Sequence, residues 1–157
     1  MSQKVIDFLL QHDIEYKLYE HPPVYTVEEA LQTRKFISGM HLKNLFIKDS
    51  RAGNYYLLVA QADTKVDLKS IKTQIGARKL SMAKREELEQ ILQVEPGSVS
   101  FFNLLNTNSV TFVLYEEVYN ADLLTFHPND NTKTLEFNNS EFHRLLELIS
   151  PDFLIVN

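Results

Sequence analysis

The run His41-Leu42-Lys43-Asn44-Leu45-Phe46-Ile47-Lys48-Asp49 leads through Ser50-Arg51-Ala52-Gly53-Asn54 into Tyr55-Tyr56-Leu57-Leu58-Val59-Ala60. Residues 42–47 and 55–60 are apolar runs of strand length, and the turn residues at 49–54 make a hairpin of the pair. A lysine and an amide side chain open the first run, where a buried strand leaves its polar end at the rim of a cleft.

Working outward, Tyr16-Lys17-Leu18-Tyr19 alternates as a short strand that Pro22-Pro23 stops, and residues 110–115, 123–126 and 134–137 read as further strands. Val5, Ile6, Leu9 and Leu10 fall at helical spacing behind Ser2 as N-cap, which predicts a helix to about His12. Thr26 and Glu29 have capping-box spacing for a helix through Leu31. Residues 67–75, closed by Gly76, and 84–92, closed by Glu95-Pro96-Gly97-Ser98, are amphipathic helices, and Asn139 or Ser140 starts a last helix through Ile149. Strands and helices mix without regular alternation, so the expected class is α+β or mixed-sheet rather than doubly wound.

The chain of 157 residues is expected to form a single domain, residues 1–157, with no linker or repeat. It contains no cysteine, which removes disulfides, zinc–thiolate sites and thiol nucleophiles. No apolar run is long enough for a membrane span and the N-terminus lacks a signal-peptide core, so a cytoplasmic protein without membrane association is expected. The net charge of −5 argues against broad nonspecific nucleic-acid binding; any such contact needs a local basic patch. Arg34 and Lys35, with Lys69, Lys72, Arg78, Lys79, Lys84 and Arg85, are the concentrations of positive charge, and by default they are a solvated helix face. No His, Asp or Glu cluster has metal-ligand spacing, and no phosphate-binding glycine loop or nucleophile elbow is present, so neither a metal nor a cofactor is expected.

Taken residue by residue, each candidate has a plain alternative. Lys43 is a solvent-exposed strand-edge lysine or a substrate-binding cation. Asn44 is a local hydrogen-bonder or a substrate ligand, and a regular strand sends it and Lys43 to opposite faces. His127, after Leu123-Leu124-Thr125-Phe126 and before Pro128, sits where a strand ends, either satisfied locally or facing a pocket. Pro96-Gly97 predicts a turn, so Gly97, Ser98, Val99 and Ser100 are either that turn alone or a loop with amides to offer. His12, His41 and His143 are assigned no role.

Four stretches occur in one order: His21-Pro22-Pro23-Val24-Tyr25-Thr26-Val27-Glu28-Glu29-Ala30, then Lys43-Asn44-Leu45-Phe46 with Lys48-Asp49, then Gly97-Ser98-Val99-Ser100, then Phe126-His127-Pro128. Together they resemble the YbaK/PrdX family of aminoacyl-tRNA deacylases, and within it the free-standing members that edit alanyl-tRNA(Pro) in trans. The resemblance runs over nearly the whole chain. It implies a YbaK-like mixed, mainly antiparallel sheet with flanking helices, and hydrolysis of a small wrong amino acid from tRNA(Pro). In its light Lys43, Asn44 and His127 become the catalytic set, with His21, Tyr25, Thr26, Gly97, Ser98, Val99 and Ser100 around the substrate. Arg34 and Lys35 become candidate tRNA contacts. The implied partners are aminoacylated tRNA, tRNA(Pro) in particular, and a transient association with prolyl-tRNA synthetase. Family members often read Ser-Pro-Phe where this chain has Ser100-Phe101-Phe102, which bears on the shape of the loop.

Overall fold

The hairpin forms as its sequence predicts, with β2 (Leu42–Asp49) antiparallel to β3 (Asn54–Gln61) in an unbroken register from Leu42 opposite Gln61 to Asp49 opposite Asn54. The last residue of β2 explains the turn. Asp49 is 1% exposed, and its carboxylate accepts from the backbone N–H groups of Arg51 (3.1 Å), Ala52 (3.2 Å), Arg78 (2.8 Å) and Lys79 (3.1 Å). One buried charge thereby ties the hairpin turn to the chain entering the next strand, and each amide offsets part of its desolvation.

The Arg78 amide foremost, with those of Ala52, Lys79 and Arg51, holds the Asp49 carboxyl below the usual aspartate range against the opposing effect of burial. A depressed native pKa makes this contribution to stability fully present above the ordinary aspartate range of about pH 4, and lost as pH falls through the native value. Asp49→Asn is expected to lower the melting temperature at neutral pH and to flatten its decline on acidification. Thermal melts of both proteins from neutral pH to about pH 2 check this.

The computed structural model describes residues 2–23, 28, 29, 32 and 35–157. The hairpin lies in a five-stranded sheet ordered β4-β2-β3-β5-β8, where β4 is Leu80–Met82, β5 is Val110–Tyr115 and β8 is Leu154–Val156. Its β2–β3 and β2–β4 pairs are antiparallel, and its β3–β5 and β5–β8 pairs are parallel. A second sheet ordered β1-β7-β6 is wholly antiparallel, from β1 (Lys17–Glu20), β7 (Lys133–Asn138) and β6 (Leu123–Phe126). The expected mixed, mainly antiparallel architecture is thus divided into two sheets, which an isolated bridge between Met40 and Leu124 joins just before β2 begins.

The helices follow their caps. α1 spans Ser2–Gln11, so Ser2 is inside the helix. α2 (Leu68–Ile75) has the Asp67 side chain on the Lys69 and Ser70 amides and ends on Gly76 at φ 71°, a left-handed conformation that glycine adopts at least cost. The helix expected at residues 84–92 is α3 (Arg85–Glu87) continued by a π-helical turn, Leu88–Leu92. Glu87 fastens it to the hairpin: its carboxylate takes hydrogen bonds from the Tyr55 hydroxyl, the Lys84 amide and Lys48 Nζ, which hold its pKa at about 2. A 3-10 helix (Phe101–Asn106), α4 (Glu116–Tyr119) and α5 (Asn139–Ile149) complete the described elements, with Asn138 capping α5. The capping-box helix expected from Thr26 falls largely outside the described residues. Among the described residues no helix is long and apolar enough to cross a membrane.

The main core lies between the sheets. Leu57, Val59, Phe112 and Leu114 of the larger sheet meet Leu124, Phe126, Leu135 and Phe137 of the smaller one, with α1 and α5 closing the sides through Val5, Leu9, Phe142 and Leu145. Phe101 sits in its middle, fully buried, with ring centroids 4.7 Å from Phe112, 5.3 Å from Phe126 and 6.0 Å from Phe142. The residue that stands for the family's proline is therefore a core anchor beneath the loop, not part of a pocket wall.

Candidate active site

Strand alternation sorts β7 into two faces. Leu135 and Phe137 enter the core, so Thr134 and Glu136 take the other side, and register sets Tyr19 of β1 opposite Thr134 and Thr125 of β6 opposite Glu136. This polar face receives the chain leading into Pro22-Pro23. His21 extends β1 by one more bond, its amide to the Thr132 carbonyl at 2.9 Å, and its ring spans Pro22 O at Nδ1 (2.9 Å) and Thr134 Oγ1 at Nε2 (2.9 Å). Because a carbonyl only accepts, Nδ1 carries the proton, and in the neutral ring Nε2 accepts from the threonine hydroxyl. A cleft of about 500 Å³ opens here, between Tyr19, His21, Pro22 and Pro23 on one side and Phe36 and Ile37 on the other.

The far wall is seated by close approach. The Gly39 amide donates to Glu136 Oε2 at 2.9 Å, and a Cβ on Gly39 would lie 2.8 Å from Thr125 Cγ2 and 3.2 Å from Glu136 Cγ. Any other residue there would have to push aside the Thr125 and Glu136 side chains. Met40 then bonds β6 twice through the backbone, from its amide to Leu123 O at 2.8 Å and from the Thr125 amide to its carbonyl at 3.0 Å.

His127 lies one residue past β6. Carrying the β6–β7 register forward by that residue sets it opposite Thr134, the partner of His21. Its backbone is held by the loop expected to accompany it. Ser98 N donates to Glu95 O at 3.0 Å with Gly97 at φ 90°, the type II turn that Pro96-Gly97 predicts. Ser100, fully buried, then donates from its hydroxyl to the His127 carbonyl at 2.8 Å, while its amide bonds Asn103 Oδ1 at 2.6 Å. Asn103 reaches on to the Asn129 side chain. Burial pushes the His127 pKa below its ordinary value, and the Val99 backbone beside the ring opposes this. The imidazole is accordingly neutral at pH 7.

Lys43 and Asn44 separate. In the β2–β3 register Asn44 lies opposite Val59, on the face that carries Val59 and Leu57 into the main core and Phe46 into a smaller cluster with Leu88 and Leu92. Its Oδ1 is buried and has no hydrogen-bond partner among the described residues. Lys43, opposite Ala60, shares the reverse face with Leu45 and Ile47, and its Nζ donates to the Thr64 carbonyl. The structure thus joins Ser100 to His127 and His21 to Thr134, sets Asn44 on the core-facing side of β2, and holds the Lys43 ammonium on the reverse side. Val99 is half-buried against the main core and Ser98 half-buried in the turn. Tyr25, Thr26 and Arg34 lie outside the described residues, and Lys35 is exposed. Thr134, Glu136 and Gly39 were not picked out from the sequence. Thr134 and Glu136 alternate with two buried residues, but nothing local marks which partner strand brings His21 to them.

The model of a family described as the aminoacyl-tRNA editing domain matches residues 21–145. A prolyl-tRNA editing protein, ProX, of Acetoanaerobium sticklandii is 35% identical over 148 residues, covering 93% of this chain and 90% of that protein. A prolyl-tRNA synthetase associated domain-containing protein 1 of Xenopus laevis is 30% identical over 168 residues, covering 100% and 96%. Among solved structures, a candidate trans-editing enzyme for prolyl-tRNA synthetase superposes with a TM-score of 0.74 at 19% identity, over 99% of this chain and 94% of that one, a likeness of fold.

Proposed function

Because the chain belongs to the aminoacyl-tRNA editing domain family, we propose that it is a trans-editing hydrolase of the cytoplasm that cleaves the ester joining a small wrong amino acid, alanine, to tRNA(Pro). The observation that carries the reading is the 35% likeness to a prolyl-tRNA editing protein across 93% of the chain. The geometry agrees with it. An aminoacyl ester is already activated, so orientation and a placed water are sufficient chemistry. The unpartnered Asn44 Oδ1 suits the α-ammonium group of the substrate, since a buried acceptor calls for a donor. A neutral His127 accepts or donates at the ester or its water, and His21 with Thr134 offers a second polar edge across the same sheet face. The vicinal ribose hydroxyl of the terminal adenosine assists in place of a strong protein base. Lys43, at the far side of β2, serves through long-range charge or by exchanging its Thr64 contact for substrate. Transient association with prolyl-tRNA synthetase would deliver the product of its errors.

Proline's own synthetase pocket cannot reject alanine by bulk, since each missing methylene is worth only about 1 to 3 kcal/mol, and a second pocket with an upper size limit completes the selection. The test is hydrolysis of alanyl-, seryl-, cysteinyl- and prolyl-tRNA(Pro), with the amino acid and the tRNA varied separately. Fast release of alanine with proline spared is the expected result. Preference for cysteine would make it a deacylase of that ester, and binding without release of any amino acid would make it a noncatalytic module.

His127→Ala is expected to slow alanine release by about ten- to a hundredfold, in the range for positioning effects. The wild-type rate should hold from neutral pH down to the ordinary histidine range near pH 6.5 and fall below it, with a midpoint on the acid side of that value because burial depresses the native pKa. Stability should follow the same sign, being lost as pH drops through the depressed value. A flat pH profile with full activity in the variant removes His127 from the reaction.

A further inference from the structure

The Asp49 hub has an outer surface. Three of its four bonded amides belong to Arg51, Arg78 and Lys79, and Ser50 N adds a bond to the Lys79 carbonyl at 3.0 Å, so these cationic residues spring from backbone gathered about one carboxylate. All three are exposed. Four cations are matched by carboxylates, Lys48 with Glu87, Arg85 with Glu89, Lys133 with Asp130 and Arg144 with Glu141, while lysines such as Lys65 and Lys69 stand singly among the described residues. None of these three side chains has a hydrogen-bond or ion-pair partner among the described residues. In a chain of net charge −5, a fixed group of unpaired cations around a carboxylate fully occupied by amides is a local inversion of the overall field.

We propose that Arg51, Arg78 and Lys79 form a docking surface for the phosphodiester backbone of an RNA stem, with Asp49 as its positioning residue. Two exposed guanidinium groups and an ammonium on a rigid turn suit phosphate oxygens, which need cations at fixed spacing and no base contacts. Asp49 stands at the opposite end of β2 from Asn44, five residues of extended strand or about 17 Å away. A single-stranded 3′ end spans that interval between the reacting ester and the first paired phosphates. The identity of the RNA as the stem of a charged tRNA rests on the editing function proposed above.

The test is the triple variant Arg51→Ala, Arg78→Ala, Lys79→Ala, which keeps every N–H that Asp49 accepts. Its affinity for uncharged tRNA is expected to fall at least about tenfold at low salt, and the slope of log affinity against log salt to become shallower by about 2 to 3. KM for charged tRNA should rise with kcat unchanged, while hydrolysis of an aminoacylated oligonucleotide ending in CCA without a stem stays at the wild-type rate. Lys4→Ala, at an exposed cation of α1 that bonds the Asn106 side chain, serves as the control. Unchanged affinity and salt slope in a folded triple variant overturn the proposal. If the triple variant melts early, the three single variants replace it, and equal affinity in all of them is the same refutation. Wild-type protein that binds tRNA through this surface but releases no amino acid refutes the editing function and leaves the surface standing.

Discussion

Asn44→Ala should reduce the release of alanine from tRNA(Pro) by about a hundredfold or more while leaving the melting temperature unchanged or slightly raised. The loss follows from removing one preorganised polar contact to the reacting substrate, an effect of about 3 to 4 kcal/mol at comparable sites. The stability sign is the distinctive part. Asn44 Oδ1 is buried without a partner among the described residues, so the folded protein carries the desolvation of that acceptor with no bond from them to offset it. Alanine removes the acceptor along with its cost, at the expense of a small loss of packing beside Phe46 and Val59. Steady-state hydrolysis and thermal melting of one preparation decide the matter. A variant that melts several degrees lower and turns over normally would mean that Asn44 is a structural group.

Phe101→Ala should have the largest effect on stability, a loss of about 3 to 5 kcal/mol. Its ring is fully buried and contacts Phe102, Phe112, Phe126 and Phe142, so truncation leaves a cavity between the two sheets that rings on four sides cannot all collapse to fill. That loss is a large share of the roughly 5 to 15 kcal/mol available to a domain of ordinary stability. Phe101→Pro should cost a similar amount for the same reason. Its backbone position is the first of the 3-10 helix after the Ser100 cap, where proline is tolerated, so the penalty is in packing and not in geometry. Urea unfolding of the three proteins measures both values. Equal stability of the proline variant and the wild type would show that the core repacks around the smaller ring.

The hairpin was legible because its strands are long, apolar and separated by residues that favour turns. α2 was legible at both ends, since Asp67 and Gly76 carry their cap chemistry in their identities. β4 and β8 were not, because three residues are too few to show a period and both owe their pairing to strands far along the chain. The Phe101–Asn106 segment reads locally as an apolar run after a turn, and its 3-10 form depends on Ser100 and Asn103 bonding one another. At the site, the turn at Gly97 and the position of His127 at a strand end could each be read, but not the Ser100 hydroxyl that connects them. The alternation that parts Lys43 from Asn44 was already written in their adjacency, given an unbulged strand. Which of the two faces the core required knowledge that β3 and β6 enclose it.

His21 meets Thr134 across 113 residues of chain, and among the described residues β7 is the strand that pairs with β1. During vectorial synthesis the first twenty residues must therefore wait, with β1 unpaired, until the β6–β7 hairpin has left the ribosome. The larger sheet can start earlier, from the local β2–β3 pair. Completion of the cleft is thereby a late event in the life of each molecule, and in refolding its appearance should lag the burial of the β2–β3 hairpin, because closing so long a loop is slow compared with closing a short one.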